Sequence, residues 1–211
     1  MSEKKGFAAM LKLGVVLALY AAAACVGLAF VYAGTKDKIE TNQKAVMEEA
    51  LRELFPGAEF SAAAGLSIAD PLVSIVADRN DPQNTGVFAA TQNGVLAGLA
   101  LKISRNGFGG PVVLLVGVGT DGRIKGVKIL EHSETPGLGA NAASPNYFVN
   151  KAQGITFYGQ FAGKAVSDDF AVKQDVDAIT ASTITSKAVS DSVKAAGIAA
   201  AEWIKNNGGP R

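Results

Sequence analysis

Residues 13–33 (LGVVLALYAAAACVGLAFVYA) form an uncharged apolar run of 21, and this run restricts the architecture more than any other stretch. Coiled as an α-helix at about 1.5 Å per residue it reaches roughly 31 Å, the thickness of a bilayer's hydrocarbon core. Lys4, Lys5 and Lys12 precede it, Lys36, Asp37 and Lys38 follow, and Tyr32 ends it where an interfacial aromatic belongs. A cleaved signal peptide has an apolar region of only about 7–15 residues. Residues 22–25 (AAAC) resemble a lipoprotein processing site, yet the chain stays apolar through residues 26–31 instead of turning polar. One uncleaved, single-pass transmembrane helix over residues 13–33 is expected. The two flanks tie at three lysines each, so charge does not orient the helix. Long domains translocate largely regardless of charge, so residues 1–12 are expected in the cytoplasm and the bulk of the chain outside it.

Composition removes several function classes. A formal net charge of +1 provides no basic surplus for nucleic acid. The only cysteine, Cys25, lies inside the apolar run, which excludes an intramolecular disulfide and a cysteine-built zinc or iron–sulfur centre. With one histidine and no nucleophile-elbow motif, the chain is a poor candidate for an envelope hydrolase. No metal site is read.

Downstream, residues 34–85 read as a helical stalk and connecting region. Ile39, Val46, Ala50, Leu51 and Leu54 approximate a helical stripe, Pro56-Gly57 supplies a stop, and Asp81-Pro82 and Asn84 mark loops. From residue 86 the pattern turns to β. Residues 87–92 and 95–103 flank Asn93-Gly94, a favoured two-residue hairpin turn, and residues 111–119 and 123–131 flank a turn with Asp121-Gly122. The stretch VVLLVGV is apolar on both faces, which predicts a central buried strand. Residues 106–111 (NGFGGP) read as a flexible structural connector. Val189, Val193, Ala196, Ala200 and Trp203-Ile204 recur at three and four, which predicts an amphipathic helix over 184–206 closed by residues 207–210 (NGGP). Helices on either side of a run of hairpins give an α+β domain over residues 86–206: an antiparallel-rich sheet packed with helices, preceded by the transmembrane helix.

Two segments carry chemistry. Residues 177–186 (DAITASTITS) cluster hydroxyls where the last helix begins, and a helix N-terminus offers unpaired N–H groups and positive potential to a phosphate. The same residues also serve an ordinary Ser/Thr cap. Residues 132–139 (HSETPGLG) follow a strand directly. Pro136 fixes one backbone angle, Gly137 and Gly139 permit close contacts, Leu138 can meet a flat ring, and Glu134 and Thr135 can bond polar ring edges.

Taken together, H-x-E-T-P-G-L-G and, some forty residues later, D-x-x-[ST]-[GA]-x-T-x-T-S resemble the FMN-binding domain family of the ion-pumping respiratory complexes. The resemblance extends to the preceding G-F-G-G-P, the strand–DG–strand hairpin and the N-terminal anchor, and it reaches most of residues 86–200. Chain length points within that family to the branch formed by the G subunits of Rnf electron transport complexes; the branch of the C subunits of sodium-pumping NADH:quinone reductases is the alternative. The resemblance implies FMN esterified through its phosphate to a threonine, which falls on Thr183. Thr180, Ala181 and Ser182 stand where Ser, Gly and Ala are commoner, so Ser182 is the nearest competing acceptor and Thr185 a weaker one. It implies cofactor contacts from Glu134, Thr135, Leu138, Thr180 and Ser182. It also implies a separate flavin transferase for maturation, the other membrane and redox subunits of an Rnf-type complex as partners, and an extracytoplasmic electron relay with no substrate site of its own. That complex would couple electron transfer between ferredoxin and NAD to sodium or proton transport. A non-redox, membrane-anchored binding module is the competing reading.

Overall fold

The computed structural model describes residues 2–78 and 84–207. The loop expected at Asp81-Pro82 and the helix stop expected at Gly208-Gly209-Pro210 lie outside the described residues.

A single helix, α1 (Ser2–Leu54), contains the apolar run, and over residues 10–33 its large apolar side chains, Leu13, Leu17, Phe30 and Tyr32 among them, are exposed. This helix is long and apolar enough to cross a membrane, with a mean hydropathy of 2.3 over its most apolar window. The chain divides into two units, residues 1–46 and residues 47–211. The second unit starts in the last turns of α1, where the stripe predicted through Ala50, Leu51 and Leu54 is buried. The helix ends at Leu54, one residue before Pro56-Gly57, and Gly57 takes a φ of +75°, which favours glycine.

The second unit is built on one antiparallel sheet. Its strands are β1 (Glu59–Ala62), β2 (Ser74–Ile75), β3 (Val87–Gln92), β4 (Val95–Asn106), β5 (Pro111–Gly119) and β6 (Ile124–His132). Their order is β1-β3-β4-β5-β6, and β2 pairs with the end of β4 through Ser74 opposite Ser104. Both expected hairpins are present. Asn93 and Gly94 have φ values of 51° and 77°, the paired positive angles that a tight hairpin of this hand requires. The VVLLVGV strand lies between β4 and β6, and every residue of β5 after Pro111 is buried.

Alternation along the strands explains that burial. Leu99, Leu101, Ile103, Leu114 and Val116 share a core with Val189, Val193, Ala196 and Ala200 of the C-terminal helix α2 (Thr183–Asn207). Ala90, Ala100 and Leu115 point to the opposite face, which Met47, Leu51, Leu54 and Phe55 cover. The sheet is therefore packed between two helical segments, the α+β arrangement expected. Its α1 face is unusually shallow. A β-carbon at Gly98 would lie 2.7 Å from the Phe55 ring, one at Gly126 would lie 2.8 Å from Leu54, and one at Gly117 would press on both.

β1 and β2 had no signal in the Ala-rich 58–85 segment, because four- and two-residue edge strands are too short to show a period. After β6 the chain runs through a short 3₁₀ helix (Gly139–Ala142), the hairpin β7 (Phe148–Asn150) and β8 (Ile155–Thr156), and a second 3₁₀ turn (Gly159–Phe161). Phe157, Phe161 and Phe170 from these loops are fully buried, and their rings contact in sequence.

Candidate functional site

The start of α2 is held by its own serines. Ser182 donates its N–H to the Ile179 carbonyl at 3.0 Å, and the Ser182 carbonyl accepts the Ser186 N–H at 3.0 Å, the first backbone bond of the helix. Ser186 Oγ accepts the Ile179 N–H at 2.9 Å and donates to the Ser182 carbonyl at 2.9 Å. Ala181 turns the corner with a φ of 59°, a left-handed angle that glycine adopts without strain. The N–H groups of the first helical turn have no intrahelical acceptor.

This geometry sorts the hydroxyls. Thr185 and Ser186 are fully buried and hydrogen-bonded, and Ser182 is buried. Thr180 is exposed, but its N–H donates to Tyr147 Oη at 3.1 Å, with the two hydroxyls 3.5 Å apart. Thr183 is exposed, and it is the first residue of the helix.

The HSETPGLG segment packs directly against this terminus. Glu134 is only 6% exposed, and both carboxylate oxygens are engaged by the protein. Oε1 accepts the N–H groups of Phe108 at 2.8 Å and Gly109 at 3.1 Å, while Oε2 accepts the Thr185 hydroxyl at 2.9 Å. The Thr135 carbonyl accepts the N–H of Leu138 at 3.1 Å and of Ala140 at 3.2 Å, closing the turn that Gly137 permits at a φ of +76°. Leu138 leads into the 3₁₀ helix with its side chain partly exposed.

These pieces enclose a cavity of about 400 Å³ lined by Phe108, Glu134, Thr135, Leu138, Gly139 and residues 181–185. Of the expected site residues, Glu134, Thr135, Leu138, Ser182 and Thr183 therefore meet at one place, and Thr180 stands just outside it under Tyr147. The cavity is apolar where large side chains reach it: Phe108 is 71% exposed, Ile184 56% and Leu138 41%. A flat apolar ring against those three, with a phosphate at the helix N-terminus, matches the chemistry present.

The NGFGGP stretch, expected to be a structural connector, is corrected by this arrangement: its Phe108 lines the cavity and its amides meet Glu134. A large aromatic inside a glycine run was the signal, since a solvated connector gains nothing from phenylalanine. Tyr147 was missed, as was Gln160, whose amide accepts the Asp177 N–H at 2.7 Å and donates to the Asp177 carbonyl at 3.1 Å. Neither carries a local motif; each acts only through the folded chain.

Residues 107–197 match the family of FMN-binding domains, and residues 1–54 match the N-terminal region of RnfG. Fold and site thus define a flavin-binding domain preceded by an apolar helix. The G subunit of the Na(+)-translocating ferredoxin:NAD(+) oxidoreductase complex of Acetobacterium woodii is 32% identical over 195 residues, covering 86% of this chain and 87% of its own. The G subunit of the ion-translocating oxidoreductase complex of Methanosarcina acetivorans is 31% identical over 200 residues, covering 93% and 95%. Among solved structures, NqrC of Shewanella oneidensis aligns with a TM-score of 0.41 at 24% identity, over 61% of this chain and 64% of that one. The chain belongs to the RnfG family, the G subunits of Rnf-type ion-translocating oxidoreductase complexes, and it is a single-pass membrane protein.

Proposed function

We propose that this chain carries FMN esterified to Thr183 and relays electrons within an Rnf-type ferredoxin:NAD oxidoreductase complex coupled to sodium or proton transport. The observation that carries the reading is the sorting of hydroxyls at the start of α2. Thr183 is the one hydroxyl of the run that is both exposed and on the cavity, whereas Thr185 and Ser186 are buried and bonded. Ser182, the nearest competitor, is buried.

A free threonine hydroxyl is a weak nucleophile and needs outside activation. A separate flavin transferase supplies it, using FAD and magnesium. The bond formed joins Thr183 Oγ to the FMN phosphorus, the hydroxyl proton is lost, and AMP leaves from FAD. The N–H groups at the start of α2 would hold the phosphate, favoured by the positive end of the helix dipole. Phe108, Leu138 and Ile184 would hold the ring by apolar contact, and Thr135 would offer it a hydrogen-bonding group.

Bound FMN supplies one- and two-electron transfer; the chain sets its position and surroundings. The domain sits on the extracytoplasmic side of the cell membrane, where the covalent bond keeps the carrier loaded. Its anchor holds it at high effective concentration beside the membrane and redox subunits of the complex.

Mass spectrometry of the full chain, produced with its modification machinery, tests the reading. The tryptic peptide of residues 174–187 should carry one FMN less water, on Thr183. A bare peptide overturns the proposal. Side is read with Cys25→Ser and a new surface cysteine after residue 86, which should react with an impermeant maleimide on intact cells.

A further inference from the structure

We propose that Glu134 is the positioning residue of this site, strapping the Phe108 wall to the α2 terminus that bears Thr183 and placing a fixed negative charge beside the ring. The proposal rests on the flavin reading and deepens it.

The strap joins segments distant in sequence. One oxygen takes two backbone N–H groups of the Phe108 turn, and the other takes a fully buried hydroxyl one helical position from Ile184. Three of the roughly four acceptor sites of a carboxylate are therefore used by the protein. The glycines of both motifs are spaced to admit this side chain. A β-carbon at Gly107 would collide with Oε1, and one at Gly139 would collide with Oε2 and lie 2.8 Å from Thr185 Oγ1. A β-carbon at Gly109 would strike the Ser133 carbonyl and lie 3.1 Å from Glu134 Cα. Clearance for this carboxylate thus accounts for Gly107 and Gly139, and close passage of the 133–134 backbone for Gly109, while Gly110 and Gly137 take positive φ. Backbone conformation does not explain the first three, because Gly107, Gly109 and Gly139 are absent from the residues with positive φ.

Charge follows from the same placement. Among the described residues that line the cavity, Glu134 alone is ionisable. A fixed anion opposes the addition of electrons to a neighbouring ring, and low dielectric inside a cavity strengthens the effect.

Three substitutions in the full-length chain, loaded with FMN by its modification machinery, separate strap from charge. Glu134→Gln keeps an oxygen for both N–H groups and an amide to pair with the Thr185 hydroxyl, but it removes the charge. Its flavin midpoint potential should rise, with amide hydrogen exchange at residues 108 and 109 close to wild type. Glu134→Ala should speed that exchange at least tenfold and lower the flavin's fluorescence anisotropy. If Glu134→Ala does not fold, Thr185→Val cuts one arm and should still speed exchange at both amides. An unchanged potential in Glu134→Gln overturns the proposal. So does unchanged exchange in Glu134→Ala, or in Thr185→Val where that variant stands in. Failure of the flavin reading looks different: wild-type residue 183 is then unmodified, and exchange in the unloaded chain decides the strap by itself.

Discussion

Tyr147 reaches across 33 residues to accept the backbone N–H of Thr180 at 3.1 Å, three positions before Thr183. One phenol therefore pins the turn that leads into the exposed Thr183. Tyr147→Phe keeps the ring and removes the acceptor, at a cost of about 1 kcal/mol. For a chain of this size that corresponds to a melting temperature lower by roughly 2–4 °C. Intact-mass time courses should also show slower loading of Thr183, because the turn samples other shapes. Loading at the wild-type rate would separate Tyr147 from presentation of the site.

Thr183→Ala should yield a colourless chain that still inserts into the membrane and keeps its melting temperature within about 1 °C of unmodified wild type, since an exposed substitution changes stability little. In-gel flavin fluorescence and circular dichroism check both halves. Residual covalent flavin would move the bond to Ser182, and a Ser182→Ala, Thr183→Ala double variant would then be colourless.

Ala181 holds a left-handed angle, φ 59°, in the turn before α2. For an L-residue that region costs about 1–2 kcal/mol, and the extra freedom glycine has when unfolded returns about 0.4–1 kcal/mol of it. Ala181→Gly should therefore stabilise the domain by up to about 1 kcal/mol in denaturant titration. Ala181→Val should destabilise it by more, because a branched side chain tolerates this angle worse than alanine. The opposite order would show that the turn is not strained.

Phe55 fills the shallow trough over Gly98 and Gly117 and is only 4% exposed. Gly117→Val should cost about 1–3 kcal/mol by overpacking, and Phe55→Ala about 3–5 kcal/mol by leaving the trough empty. If shape matching is the reason for both, the double variant should lose less than the sum of the two, since valine refills part of the space that Phe55 vacates. Simple additivity in chemical denaturation would contradict it.

Arg105 on β4 bridges Asp70 at 2.7 Å and Asp191 of α2 at 3.1 Å. The Leu72 N–H, opposed by desolvation and helped by the Arg105 guanidinium, holds the Asp70 carboxyl below its ordinary value of 3.8. A folded-state value lowered in this way stabilises the fold above about pH 4, and the contribution is lost as pH falls through the folded value. Denaturation midpoints measured from pH 6 down to pH 2.5 should fall less steeply for Asp70→Asn than for wild type. Equal slopes would remove Asp70 from the acid response.

Much of this molecule was legible in linear order. The 21-residue apolar run, the Asn93-Gly94 hairpin, the doubly apolar β5 and the stripe on α2 each depend on neighbours within a few residues, and periodicity reports such neighbours directly. The two motifs likewise marked the two segments that meet at the cavity. The sequence alone could not say which hydroxyl on the cavity stays exposed, because Thr183 and Thr185 both line it and differ only in burial once the helix is packed. Nor could it show that Glu134 turns inward to Phe108, Gly109 and Thr185, or that Tyr147 and Gln160 fix the turn before α2. Those facts depend on segments up to 51 residues apart. Local propensity set the elements; burial and hydrogen bonding between them decided which hydroxyl at the start of α2 stays exposed on the cavity.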